Sequence, residues 1–145
     1  MNIEYHQLRI RNAEKKDCVQ LAKWWNNGKV MAHAGFPNGL GISAAEIENQ
    51  IADDSNNTKR RLVIEYQNTL IGEMSFYVYK NARYEIGIKI CEAEYQDKGF
   101  GKILLSMLIE ELFNMGAETI FLDTIAVKAS IGGGSFLLPL PTAAI

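Results

Sequence analysis

The sequence predicts an α/β (α+β) fold: a mixed, mainly antiparallel sheet flanked by helices, with elements in the order β-α-α-β-β-β-α-β. Three observations predict it. Between residues 61 and 90 apolar and polar residues alternate in three runs separated by turn residues, as in an antiparallel meander. Residues 102–115 carry apolar side chains at helical spacing. An apolar run on either side of that helix gives strand-helix-strand order over residues 84–124, the connection a parallel pair requires. At 145 residues, 48% hydrophobic and 22% charged, the chain has room for one domain with one core.

The elements follow in order. Leu8-Arg9-Ile10-Arg11 alternates as a short half-buried strand does. From Asp17 to Asn26 a helix is predicted, with Asp17 as N-cap, Gly28 as stop, and Val19, Leu21, Ala22, Trp24 and Trp25 on its apolar face. Residues 31–42 contain several glycines and Pro37 and read as a loop. Ser43-Ala44-Ala45-Glu46 is a capping box, so a second helix starts there and runs to about Asp53. Leu62 to Tyr66, a Gln67-Asn68 turn and Thr69 to Lys80 form a hairpin. After a turn at Asn81 to Arg83, the strand from Tyr84 to Ile90 has apolar residues at its even positions. The helix over 102–115 ends at Gly116, and Ile120 to Asp123 reads as the last strand.

Composition narrows the function. A net charge of −2 argues against a protein that grips nucleic acid by neutralising phosphates. No apolar stretch approaches the length of a membrane span, and the N-terminus lacks the pattern of a secretory signal. Cys18 and Cys91 have neither metal-ligand nor disulfide spacing, so no metal is expected and a cytoplasmic setting fits.

The segment Gln96-Asp97-Lys98-Gly99-Phe100-Gly101 carries the chemistry. A phosphate needs backbone N–H groups pointing inward, no Cβ atoms in the way, and the positive end of a helix dipole. Gly99 and Gly101 at the head of a helix meet those needs, with Gln96, Lys98 and Lys102 as further donors or charges. Two glycines at this spacing also make an ordinary tight turn. The segment is no P-loop, since Gly101-Lys102 is followed by Ile103, and no dinucleotide fingerprint, since Leu104 stands at the third glycine position.

Gln96-x-x-Gly99-x-Gly101 matches the Gln/Arg-x-x-Gly-x-Gly/Ala pattern between the fourth strand and third helix of the GNAT N-acetyltransferases. The order of elements agrees, and Tyr84 to Gly87 with Glu94-Tyr95-Gln96 resembles the branch holding ribosomal-protein N-terminal and many small-molecule acetyltransferases. The resemblance covers residues 8 to about 124. It implies an acetyl-CoA-dependent enzyme that transfers acetyl directly to an amine of a small molecule or a protein N-terminus. Main-chain groups of Ile88, Lys89 and Ile90 would hold the pantetheine arm, and Gln96, Asp97, Lys98, Gly99, Phe100, Gly101 and Lys102 the pyrophosphate. Glu85 is the expected general base and Glu73 the second candidate, although a strand glutamate is as often simply solvated or ion-paired. Trp24, Trp25, His33 and Phe36 fall where the family builds its acceptor pocket, with Trp25, His33 and Phe36 as the expected substrate contacts. Trp24 and Trp25 equally suit a core.

The resemblance also implies an Asn beyond the last strand and a Tyr that protonates the leaving thiolate. Neither residue type occurs after Asn114. From Ile125 to Ile145 the only charge is Lys128, beside a Gly132-Gly133-Gly134 run, Pro139 and Pro141. The expectation is an acetyl-CoA-binding domain over 1–124, then an atypical apolar tail over 125–145 that replaces the natural ending near Thr124. Phe136 to Leu138 could stand in for a missing strand, and an open sheet edge would invite a homodimer. The alternative to an active enzyme is a non-catalytic or truncated acyl-CoA-binding protein of the same fold.

Overall fold

The computed structural model describes residues 1–122. Asp123 of the predicted last strand, the tail over 125–145 and the stand-in strand over Phe136 to Leu138 lie outside the described residues.

Among the described residues one sheet of six strands runs in sequence order, from β1 (Asn2–Tyr5) and β2 (Leu8–Asn12) through β3 (Lys59–Tyr66), β4 (Thr69–Tyr79) and β5 (Arg83–Ile90) to β6 (Thr119–Leu122). Neighbours are antiparallel except β5 and β6, which are parallel. The helices are α1 (Cys18–Trp25), α2 (Gly28–Met31), α3 (Ala44–Ala52) and α4 (Phe100–Asn114). No helix among the described residues is long and apolar enough to cross a membrane.

Alternation decides which helix covers which face. Even positions of β5, namely Tyr84, Ile86, Ile88 and Ile90, are buried in one cluster with Leu104, Leu105, Leu108, Ile109 and Leu112 of α4. Full burial of each such aliphatic side chain is worth roughly 1.5–3 kcal/mol, which fixes α4 on that face. On the other face Leu21, Trp24 and Trp25 of α1 meet Ile47 of α3 and Val63 of β3. The odd positions of β4 and β5 point to this second face. Their pairs there are Glu73 with Lys89, Ser75 with Gly87, and Tyr77 with Glu85.

Local signals hold where their chemistry is strong. Ser43 Oγ accepts from Glu46 N at 3.1 Å, and Ser43 N donates to Glu46 Oε1 at 3.3 Å. The Gln67-Asn68 turn places both residues in the left-handed region, φ 51° and 65°, which suits the twist of a two-residue hairpin. Gly72 is needed for a close approach. A Cβ there would fall 2.3 Å from Lys89 O.

The structure adds and corrects elements. Strand β1 pairs with β2 from Asn2 opposite Arg11 to Tyr5 opposite Leu8. Its turn contains no glycine, and His6 itself takes φ 54°, so the usual hairpin signal was missing. Gly28 starts α2 instead of stopping α1, with the Asn27 side chain accepting from Lys29 N as its cap. Val19 is 61% exposed and leaves the apolar face. Asp17 precedes α1, but its side chain does not cap it. Its carboxylate instead accepts from both terminal nitrogens of Arg11 at 2.8 Å.

That pair ties α1 to β2. Asp17 is 2% exposed. Burial alone would raise its carboxyl, but the Arg11 guanidinium and Glu14 N–H overcome burial and hold it below its ordinary value. The resulting stabilisation is present above the ordinary aspartate range and is lost as pH falls through the depressed value.

Candidate active site

The site begins where β5 ends. Cys91 N and Glu92 N both donate to Ile71 O, at 2.8 and 3.2 Å, so the chain leaves β5 still attached to β4. A short turn over Ala93–Tyr95 follows. Gln96 then reaches back, its Nε2 donating to Ile90 O at 2.8 Å. The sequence offered Gln96 as a ligand donor; its amide is used to fold the loop onto the end of β5.

Two aromatic contacts pin the loop's ends. Tyr66, at the end of β3, packs against Tyr95 with ring centroids 5.9 Å apart and against Phe100 at 4.8 Å. Between these anchors Asp97 and Gly99 adopt φ 59° and 83°. Gly99 is the N-cap residue of α4, and no side chain caps that helix. The first N–H groups of any α-helix lack an intrahelical acceptor and carry the positive end of its dipole. A Cβ built on Gly99 would meet nothing within 4 Å, so no packing contact explains a glycine there. Its left-handed φ does, and it leaves the approach to the helix end open. Lys98 and Lys102 are exposed beside this opening, as is Asp97. The arrangement fits a pyrophosphate.

On the α1 face, two adjoining cavities of about 140 and 260 Å³ share Glu73 and Ser75. The smaller lies along Gly87, Ile88 and Lys89 of β5. The larger lies under Trp25, with Arg61, Met31 and Tyr77 in its walls. Glu73 stands at their junction. Its Oε2 accepts from Trp25 Nε1 at 2.6 Å, and its Oε1 is 3.8 Å from Lys89 Nζ. Burial pushes its carboxyl above the ordinary value, outweighing the opposing effects of Lys89, Trp25 and Arg61. Lys89 Nζ also lies 3.0 Å from Met31 Sδ.

The expected residues fare differently. Trp25 is 7% exposed and lines the larger cavity, satisfying both the packing and the pocket reading. Trp24, 3% exposed, donates to Glu92 Oε1 at 2.8 Å and so braces the loop after β5. Glu85 accepts from the Tyr79 hydroxyl at 2.8 Å and is absent from the walls of both cavities. Phe36 is 44% exposed and likewise outside them. His33 lies in the turn over Ala32–Ala34, its side chain outside the described residues. Cys91 is buried, and burial raises its thiol well above the ordinary value, which suits packing and not nucleophilic attack. The sequence reading missed Arg61, Ser75, Tyr66 and the Lys89 side chain. Period-two alternation places Glu73, Ser75 and Tyr77 on one face, but nothing local says that α1 closes over them.

Comparison with known proteins gives the family and the fold. The family described as acetyltransferase (GNAT) domain matches residues 7–129. No curated protein sequence matches the chain. Among solved structures, spermidine N-acetyltransferase from Vibrio cholerae, in complex with CoA and spermine, is 27% identical with a TM-score of 0.68, covering 81% of this chain and 71% of that one. A GNAT-family acetyltransferase from Bacillus anthracis is 23% identical with a TM-score of 0.68, covering 91% and 82%. An acetyltransferase from Salmonella typhimurium that modifies the N-terminal serine of ribosomal protein L7/L12 shares the fold at 17% identity, with a TM-score of 0.66 and coverage of 81% and 70%.

Proposed function

Because the chain belongs to the GNAT acetyltransferase family, we propose that it is an acetyl-CoA-dependent N-acetyltransferase whose general base is Glu73. The observation that carries this reading is the position of Glu73, at the junction of the cavity along β5 and the cavity under Trp25. An acyl thioester lying along β5 and an amine lying under Trp25 would meet there.

The chain's residues divide the work. The open helix end at Gly99, with Lys98 and Lys102 beside it, would take the pyrophosphate of coenzyme A. Main-chain groups of Ile88, Lys89 and Ile90 would hold the pantetheine arm in the manner of an added strand. Glu73, its pKa raised by burial, would accept a proton from the incoming ammonium; a base is most useful when its pKa lies near the working pH. Trp25 would keep the carboxylate oriented through its N–H. Acetyl-CoA supplies the thioester: the N–C bond forms, the C–S bond breaks, and the departing thiolate takes up a proton. The V. cholerae relative, in complex with CoA and spermine, supports CoA as the co-substrate.

A second reading is favoured by one observation. Residues 115–145 contain neither an Asn nor a Tyr, the two groups the family resemblance leads one to expect there. A non-catalytic acyl-CoA-binding protein would tolerate that loss. Titration with acetyl-CoA, followed by a free-thiol assay over a panel of amines, separates the readings. The enzyme reading expects saturable binding and amine-dependent thiol release. Binding without release leaves the second reading, and no binding contradicts both.

A further inference from the structure

The cavity under Trp25 has a cation, Arg61, in its wall. Arg61 Nη1 is buried and has no hydrogen-bond partner among the described residues. A buried donor left unsatisfied is destabilising, more so when charged. An acceptor oxygen brought by a ligand would remove that cost.

Trp25 contacts both this cation and the nearby carboxylate. The Arg61 guanidinium carbon lies over the indole face, 5.8 Å from the ring centroid, while the indole N–H is bonded to Glu73. No ion pair joins Arg61 to Glu73 among the described residues. The sheet sets their spacing. Arg61 pairs with Ser75 across β3 and β4, and Glu73 is two residues along, a diagonal relation with Cα atoms roughly 7–8 Å apart. One cavity thus presents a carboxylate and a guanidinium that contact the same indole without forming an ion pair with each other among the described residues.

The balance of charge disfavours one class of amine. Among the described residues, Arg61 and Lys89 line the two cavities with Glu73 as the one carboxylate, and Lys89 already lies 3.8 Å from it. A polyamine would bring further positive charge to a site with a surplus of it. A volume near 260 Å³ is at the small end for a ligand pocket, which suits a metabolite and not a folded protein surface.

We propose that the acceptor is a small amine that itself carries a carboxylate, bound with its ammonium toward Glu73 and its carboxylate on Arg61. This rests on reading the cavity under Trp25 as the acceptor pocket, and it is tested by binding, independently of turnover. Ligand-observed NMR titrations would use L-phenylalanine and 4-aminobutyrate, their carboxylate-free counterparts phenethylamine and butylamine, and spermidine, with and without saturating CoA. At least one of the two amino acids should bind about ten-fold more tightly than its counterpart and than spermidine. Arg61→Gln should abolish that preference while leaving CoA affinity unchanged, and Arg61→Lys should restore part of it. Should Arg61→Gln fail to fold, as judged by circular dichroism, Arg61→Lys alone must still weaken amino-acid binding. A preference for spermidine, no preference for either amino acid, or a preference indifferent to position 61 overturns the proposal. Failure to bind acetyl-CoA or to release thiol bears on the enzyme reading and leaves this comparison intact.

Discussion

The loop proposed to hold the coenzyme and the cavity proposed to hold the acceptor are built from different material. Residues 96–102 form a continuous segment whose useful groups are main-chain N–H groups, and the essential property of Gly99 is its φ of 83°. The pocket gathers side chains from four separate segments: Trp25 on α1, Arg61 on β3, Glu73 on β4 and Lys89 on β5. A change of backbone permission should therefore disable the loop and spare the pocket. A change of one charged atom should do the reverse.

The sharpest way to break this contrast is Gly99→Asp. It places a carboxylate beside the phosphate site and imposes a side chain on a left-handed residue. CoA affinity should fall by at least about 100-fold, equivalent to roughly 3 kcal/mol, measured by calorimetric titration, with acceptor binding unchanged. Glu73→Gln is the complementary change. It keeps an oxygen for the Trp25 N–H but removes the base, and acetyl transfer should drop by about 10² to 10³-fold with CoA affinity intact.

Glu73→Gln also has a stability signature. A carboxyl raised in the folded state contributes stability that is present below its unfolded value and is lost as pH rises through its folded value. The wild-type chain should therefore lose some stability across that interval, and the variant should not. Thermal melts of the two proteins at acid and neutral pH would show the difference. A smaller effect is expected of Tyr66→Ala, which removes the ring anchoring Tyr95 and Phe100. CoA affinity should weaken by about ten-fold through loss of loop order alone.

The same contrast explains how much was legible in the sequence. The glycine spacing and the helix after it located the loop, because a local backbone requirement leaves a local mark. The meander, the capping box at Ser43 and the parallel return to β6 were readable for the same reason. The sequence reading prefers Glu85 to Glu73 as the base, and both point to one face of the sheet. What separates them is α1: Trp25 closes over Glu73, and Glu85 remains on Tyr79 beyond the cavities. That packing depends on contacts 48 residues apart in sequence, which no local pattern encodes. No local pattern marks Arg61 as a pocket residue either. Its position inside the pocket follows from the register of β3 against β4, where it lies opposite Ser75.

The claim most in need of measurement is that Glu73, at the meeting point of the two cavities, takes the amine's proton. The pH dependence of kcat/KM with acetyl-CoA and a good acceptor, for the wild type, Glu73→Gln and Glu85→Gln, tests it directly. The account predicts a wild-type rate that falls on the acid side through a group titrating above the ordinary glutamate range, the loss of that group in Glu73→Gln, and its retention in Glu85→Gln with less than about a three-fold change in rate. An acid limb that survives in Glu73→Gln, or vanishes in Glu85→Gln, would contradict it.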